Sequence, residues 1–277
     1  MNKGTILITG CSSGIGLASA KTLKEKGFSI IASARKTEDV TILKESGFNC
    51  VKLDLNCSNS IKSGIDDALQ ISNGSIDFLF NNGAYGQAGA VEDLSRRVIQ
   101  DQFETNVFGT MELTNLIIPI MRKQGHGRII FNSSILGFVS FKHRGAYVAS
   151  KFAIEGFADT LRLELSGSGI YVSLIEPGPI RSAFRDNALK KFNENIDVEN
   201  SVHREIYEAT RKRLMKAPDA KTPFTLEPDA VIKKLLHAIS AKRPRERYYV
   251  TFPTYLFGYL KRVLSTRMLD RVLEKSE

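Results

Sequence analysis

Thr5-Ile6-Leu7-Ile8-Thr9-Gly10-Cys11-Ser12-Ser13-Gly14-Ile15-Gly16 is the stretch whose reading decides the fold. Its first part, Thr5 to Thr9, is a short run of apolar and β-branched residues, and a loop with Gly10 and Gly14 separates it from an amphipathic segment that begins near Ile15 and holds Gly16 in its first turn. A chain that passes from strand to helix through such a loop needs glycine to turn tightly, to approach a ligand closely and to pack helix on strand. The N–H groups of the first helical turn and the positive end of the dipole then converge on one point, which suits a phosphate. The spacing is GxxxGxG rather than GxGxxG, and taken alone the loop reads equally well as a plain tight turn.

Working outward, short apolar runs alternate with amphipathic stretches as far as about residue 180, the order that βαβ units produce. Strands are expected at Thr5 to Thr9, Ser29 to Ala34, Cys50 to Leu53, Ile76 to Phe80, Arg128 to Asn132, Tyr171 to Ile175 and Arg247 to Thr251. Their nearly continuous apolar character implies helices on both faces. Helices should begin near Ile15, Ser58, Ser95, Ala146 and Glu227, with Asp54, Ser58 or Asn59, and Ser95 as N-caps. The fold class is α/β: one Rossmann-type doubly wound domain over residues 1–277 with a seven-stranded parallel sheet. Residues 1–180 form its core, 180–226 a mobile substrate lid where periodicity weakens, and 252–277 an amphipathic tail.

Composition agrees with ordinary folding: 42% hydrophobic and 25% charged residues exclude disordered and collagen-like classes. Cys11, Cys50 and Cys57 contain no CxxC pair, which argues against a disulfide framework and for a reducing, cytoplasmic setting. Thr5 begins the first strand so close to Met1 that the fold is expected to start there, without a leader, and no run of about 18 apolar residues suggests a membrane span. Of the +9 net charge, residues 1–200 carry +1 and residues 201–277 carry +8. Those cations follow helical spacing without an aromatic platform, so attraction to an anionic cofactor, lipid or substrate is expected rather than nucleic-acid binding. His126, His143, His203 and His237 lack metal-ligand spacing, and no metal is expected.

The second strand ends Ala32-Ser33-Ala34-Arg35-Lys36. An NAD site places a carboxylate there to accept from the ribose, whereas two cations welcome a 2′-phosphate, so NADP is favoured over NAD. The competing reading is that Arg35 and Lys36 merely open a solvated helix.

Tyr147-Val148-Ala149-Ser150-Lys151 places a phenol and an ammonium one turn apart on a helix face. The ammonium is expected to lower the phenol's pKa, making Tyr147 a practical proton donor to a carbonyl. The motif is common by chance, and a buried tyrosine beside a snorkelling lysine also explains it.

Its weight comes from its company. Asn81-Asn82-Gly83-Ala84, Asn106, Ser133-Ser134 and Pro177-Gly178 follow one another at successive strand ends, and with the glycine loop and YxxxK they resemble the short-chain dehydrogenase/reductase family from Gly4 to about Thr251. By that resemblance Asn106, Ser134, Tyr147 and Lys151 form a catalytic tetrad. Ser134, 13 residues before Tyr147, has the family's separation and is preferred to Ser133. Ser134 binds the substrate oxygen, Tyr147 gives it a proton as hydride arrives from nicotinamide, Lys151 also holds the nicotinamide ribose, and Asn106 fixes a water that resupplies the proton. Thr9, Gly10, Ser12, Ser13, Gly14, Ile15 and Gly16 cradle the diphosphate, Asp54 with Leu55 contacts adenine, Asn81, Asn82 and Gly83 support the adenosine side, and Pro177, Gly178, Ile180 and Ser182 flank the nicotinamide. The sequence departs from the pattern in having Gly83-Ala84 for Ala-Gly, which moves the residue without a Cβ by one position, and Ser182 where threonine is common.

Within the family the chain is similar to bacterial NADP-dependent aldehyde reductases first, and then to 17β-hydroxysteroid and retinol dehydrogenases. Residues Val139 to Arg144 and the lid, with Phe184 and Phe192, should border a pocket for a lipophilic carbonyl or alcohol. Aldehyde reduction is the first expectation, and an NADP-binding redox sensor without turnover is the alternative from another class. Between Tyr255 and Leu273, apolar residues at helical spacing alternate with Lys261, Arg262, Arg267 and Arg271; such a helix can pack over the pocket or a partner subunit, or lie on an anionic membrane. The resemblance implies a homodimer or homotetramer.

Overall fold

The computed structural model describes residues 3–215 and 223–276, Arg213 through its backbone only. Residues 216–222 of the expected lid and Glu277 of the tail lie outside the described residues.

Seven strands, β1 (Thr5–Ile8), β2 (Ser29–Ala34), β3 (Asn49–Lys52), β4 (Phe78–Asn81), β5 (Gly127–Asn132), β6 (Ile170–Glu176) and β7 (Arg247–Tyr249), form one parallel sheet in the order 3-2-1-4-5-6-7. The seven expected strands are all present, Ser29–Ala34 with its expected bounds and the others with ends moved by at most two residues. Because the chain runs outward from β1 to β3 and then returns to place β4 beside β1, the two halves diverge at the carboxyl edge of β1 and β4, where a doubly wound sheet leaves a ligand crevice.

Helices α1 (Gly14–Glu25) and α2 (Thr37–Glu45) cover one face with α9 (Asp229–Ser240), burying Leu23, Val40, Leu43, Val231 and Leu235 against Ile6, Ile8 and Ile30. The opposite face is covered by α3 (Ser58–Ile71), α5 (Thr110–Gln124) and α6 (Gly145–Glu164), which bury Ile61, Leu113, Ile117, Ile154 and Leu161 on Leu7, Leu79 and Ile129. Residues of one strand thus feed both layers in alternation, which accounts for the unbroken apolar character of the strand sequences. α4 (Arg96–Phe103) is capped by Ser95, whose Oγ accepts from Val98 N. Asp54 does not cap α3: it accepts from Asn56 N at 3.0 Å in a turn of its own, the N-cap position falls to Cys57, and Ser58 is the first helical residue.

The segment after β6 contains α7 (Phe184–Asn195) and α8 (Arg204–Leu214), and the tail is two helices, α10 (Phe252–Val263) and α11 (Thr266–Glu274), rather than the one continuous helix its periodicity suggested. Ser265 in extended backbone divides them. No helix among the described residues is long and apolar enough to cross a membrane.

Candidate active site

A cavity of about 950 Å³ follows the carboxyl edge of the sheet from the glycine loop to α10. At one end lie Gly10, Ser12, Ser13, Gly14 and Ile15. The loop is held from below: Asn82 Nδ2 donates to Thr9 O at 2.9 Å, and the backbone N–H groups of Asn82 and Gly83 both donate to Thr9 Oγ1 at 2.8 Å. The exchanged Gly83-Ala84 pair therefore stays in place, and both residues line the cavity. A Cβ at Gly16 would sit 2.2 Å from Gly10 O, so only glycine lets the helix close against its own loop. The N-terminus of α1 receives no side-chain cap from Ser13 and has no acid in its first turn, which leaves its dipole and N–H groups to face an anion in the cavity. Beside it, the buried Oδ1 of half-buried Asn132 has no hydrogen-bond partner among the described residues. These features fit the diphosphate and polar edges of a dinucleotide.

Of the expected adenosine-side residues, Asn82 and Gly83 line the cavity, whereas Arg35, Lys36, Asp54, Leu55 and Asn81 lie outside it. Arg35 and Lys36 are exposed between β2 and α2, Lys36 occupying the N-cap of α2, so they also fulfil the plain helix-start reading. Asp54 and Leu55 follow β3 at the same edge, and a Cβ at Gly83 would lie 3.2 Å from Leu55 Cδ1. Asn81 is turned the other way: it is buried and donates to Thr114 Oγ1 on α5 at 2.9 Å, because alternation along β4 gives its side chain to the opposite layer.

At the cavity's centre stand Ser134, Tyr147 and Lys151, with Pro177, Gly178, Ile180 and Ser182 along one wall. Ser134 lies beside Tyr147 and favours its phenolate, and the Tyr147 ring lies 5.4 Å from that of Phe184. Lys151 Nζ donates to Asn132 O at 2.7 Å and lies 5.7 Å from the Tyr147 ring centre. Contrary to expectation, burial and not the ammonium sets the phenol's pKa. Burial pushes Tyr147 up to about 12, against the Ser134 hydrogen bond and the Arg144 charge. Burial likewise pulls Lys151 down to about 8, against the pull of Glu155. Desolvation disfavours both charged forms, and the ammonium is directed at a carbonyl rather than at the phenol oxygen.

Asn106 sits in a π-turn, Glu104–Gly109, between α4 and α5. Its Nδ2 donates to Tyr85 O at 3.0 Å and Ser150 Oγ at 3.1 Å, while its Oδ1 accepts from Tyr85 N at 3.1 Å. It thus touches the residue beside Lys151 without lining the cavity.

On the substrate side, Phe141, Arg144 and Phe184 line the cavity as expected. Phe192 does not: it is fully buried within the lid segment, its ring meeting that of Tyr207 edge to face at 5.4 Å. Among the contributors that escaped the sequence reading are Asn132 and the loop after β4, whereas the tail over the pocket was one of the placements expected of it. Asn132 links Lys151 to Asn82, and its only signal was a polar residue closing an apolar strand. Gly86 and Gln87 come from the loop after β4. Phe252, Leu256 and Phe257 close the far end from α10, so the tail packs over the pocket. Among the described residues no cluster of His, Cys, Asp and Glu could hold a metal.

With this geometry in view, the comparisons identify the class. The chain belongs to the short-chain dehydrogenase family, whose model matches residues 4–193. It is 40% identical over 270 residues to the uncharacterized oxidoreductase YbbO of Escherichia coli K12, covering 98% of this chain and 94% of that protein. Human retinol dehydrogenase 8 is 30% identical over 87% of this chain and 79% of its own. A short-chain dehydrogenase crystal structure from Streptomyces avermitilis superposes with a TM-score of 0.77 at 26% identity, covering 99% of this chain and 96% of that one. The protein is an oxidoreductase of short-chain dehydrogenase type.

Proposed function

We propose that this protein is an NADPH-dependent reductase of lipophilic aldehydes and ketones, able to run the reverse oxidation of an alcohol on the same residues. The observation that carries the reading is the convergence of Ser134, Tyr147 and Lys151 on one cavity with the uncapped N-terminus of α1. When bound there, the nicotinamide nucleotide supplies hydride to the carbonyl carbon. Ser134 donates a hydrogen bond to the substrate oxygen, and Tyr147 passes its proton to that oxygen. With its pKa pushed up to about 12, Tyr147 is held in the protonated form that an acid must have at neutral pH. Lys151, at about 8, can return a proton to the site near neutral pH, and Asn106 supports the water that resupplies it.

Preference for NADP rests on Arg35 and Lys36 at the end of β2, where no carboxylate stands to bind a ribose hydroxyl. A lipophilic substrate is supported by Phe141, Phe184, Phe252, Leu256 and Phe257 around the cavity. Human relatives named retinol dehydrogenase 8 and 17-beta-hydroxysteroid dehydrogenase type 1 keep a retinoid or steroid alcohol as the second reading. The presence of all four tetrad candidates favours turnover over a sensor that only binds. Exposed Phe108 beside α5 and Phe152, Phe157 and Leu163 on α6 support a homodimer or homotetramer, which a monomer in sedimentation equilibrium would exclude.

The test is NADPH consumption with medium-chain and aromatic aldehydes. Tyr147→Phe is expected to lose about 10²–10⁴-fold in kcat while binding NADPH as before. Full activity in that variant removes Tyr147 from its role.

A further inference from the structure

Helix α10 carries its apolar stripe on the outside. Phe252, Tyr255, Leu256, Tyr259 and Val263 are between 39% and 65% exposed. They fall at i, i+3, i+4, i+7 and i+11, within about 100° of the helix circumference. The opposite face of the same helix is the buried one, with Thr254, Phe257 and Gly258 packed inward. A surface helix ordinarily turns its apolar stripe to the core, so this second stripe needs an occupant. Phe224, 58% exposed, extends it by stacking on Phe252 at 5.4 Å.

Three observations choose the occupant. Cations border the stripe: Arg262 follows Tyr259 on α10, Lys234 reaches the Tyr255 hydroxyl at 3.4 Å, and exposed Arg267 and Arg271 continue on α11 beside exposed Asp270 and Glu274. The segment from residue 201 onward carries +8, so a second copy laid stripe to stripe would oppose like charges. Finally, Phe224, Phe252 and Leu256 belong both to the exposed stripe and to the lining of the cavity. A folded partner seated there would shut the mouth, whereas a fluid apolar phase would leave it open.

We propose that α10 docks the protein on an anionic lipid bilayer, its aromatic stripe in the interfacial layer, so that the cavity mouth opens toward the hydrocarbon. The docking stands on the helix alone; entry of a lipophilic carbonyl from the bilayer rests on the reductase reading. Aromatic rings flanked by arginine suit the headgroup region, and apolar area adds to attraction for anionic lipid.

The full chain is sedimented with vesicles of phosphatidylglycerol and phosphatidylcholine, and with phosphatidylcholine alone. The same measurement is made on Tyr259→Asp/Val263→Asp, two positions that do not line the cavity. Wild type is expected to bind anionic vesicles about tenfold more tightly than neutral ones, to be released by salt, and to lose about tenfold in the double variant. Circular dichroism and turnover of a small water-soluble aldehyde should be unchanged. Wild type left in the supernatant, or a variant that binds as well as wild type, overturns the proposal. A dimer that the double variant splits, without vesicle binding by wild type, assigns the stripe to a second copy and overturns it too. Vesicle binding that needs the stripe, with no aldehyde turnover in either protein, supports docking and defeats the reductase reading instead.

Discussion

Extended backbone at Ser134 (φ −165°, ψ 161°) turns neighbouring side chains to opposite sides. Both serines reach the cavity, but Ser133 Oγ is committed to Glu155 Oε1, while Ser134 lies beside Tyr147. Spacing to Tyr147 singled out Ser134 in the sequence, and the reason it is the available one is now local: its neighbour is engaged. Ser134→Ala should lower kcat/KM for an aldehyde by about 10²–10³-fold. Ser133→Ala should keep turnover and cost roughly 1–3 kcal/mol in chemical denaturation, since buried Glu155 loses a donor. The opposite pattern in kinetics would exchange their roles. Arg35 poses a different residue-scale question, because it is exposed at a helix start and is also the proposed partner of a 2′-phosphate. Arg35→Asp should reduce the kcat/KM ratio of NADPH to NADH by about tenfold or more. An unchanged ratio would place the 2′-phosphate elsewhere. Cys11, by contrast, is inert: burial pushes its thiol up to about 12, in keeping with a small packing residue in the loop.

Among the elements, the π-turn between α4 and α5 shows what a sequence hides. Asn106 could be named from its resemblance to a family position, but nothing in the pattern foretold six residues of wider helix around it. The cause is tertiary: a Cβ on Gly109 would fall 1.8 Å from Leu55 O, so the helix backbone lies directly against the loop after β3. The wider turn lets Asn106 meet Tyr85 and Ser150 together. Gly109→Ala should therefore lower stability by about 3 kcal/mol or more and reduce activity as the turn shifts. A thermal midpoint equal to wild type would show that the contact relaxes freely. Sheet strands were legible because they are buried on both faces and read as unbroken apolar runs. Helices α7 and α8 were not, because each is charged over most of its surface and held by a few large side chains. Tyr207 on α8 is fully buried, accepting from Ala90 N at 2.8 Å and donating to Asp93, and Phe192 on α7 packs on it. One or two anchors per helix leave no periodic signal.

At the scale of the whole molecule, one cation ties together the elements that carry the site. Arg247 on β7 pairs with Glu176 on β6 at 2.7 Å, with Asp159 on α6 at 2.6 Å, and with Glu155 on α6, which in turn holds Ser133 after β5. Glu155 lies one turn beyond Lys151, and Glu176 immediately precedes Pro177-Gly178, so the network sits directly beneath the proposed chemistry. Burial raises the pKa of Glu155 and of Glu176, and their mutual repulsion raises Glu176 further, while Arg247 lowers both. A carboxyl whose pKa is higher folded than unfolded binds more protons in the native state, so its contribution to stability is present at low pH and is lost as pH rises through the folded value. Arg247→Met removes the charge that restrains both carboxyls and leaves Glu155 and fully buried Glu176 without their guanidinium. Its cost should reach about 3–5 kcal/mol near pH 8, with Asp159 adding little at the solvent edge, and should shrink toward about pH 5 as the carboxyls take up protons. Denaturant titrations at the two pH values decide it. A loss of the same size at both would mean that Arg247 serves by packing, and that the buried carboxylates are not what it holds in place.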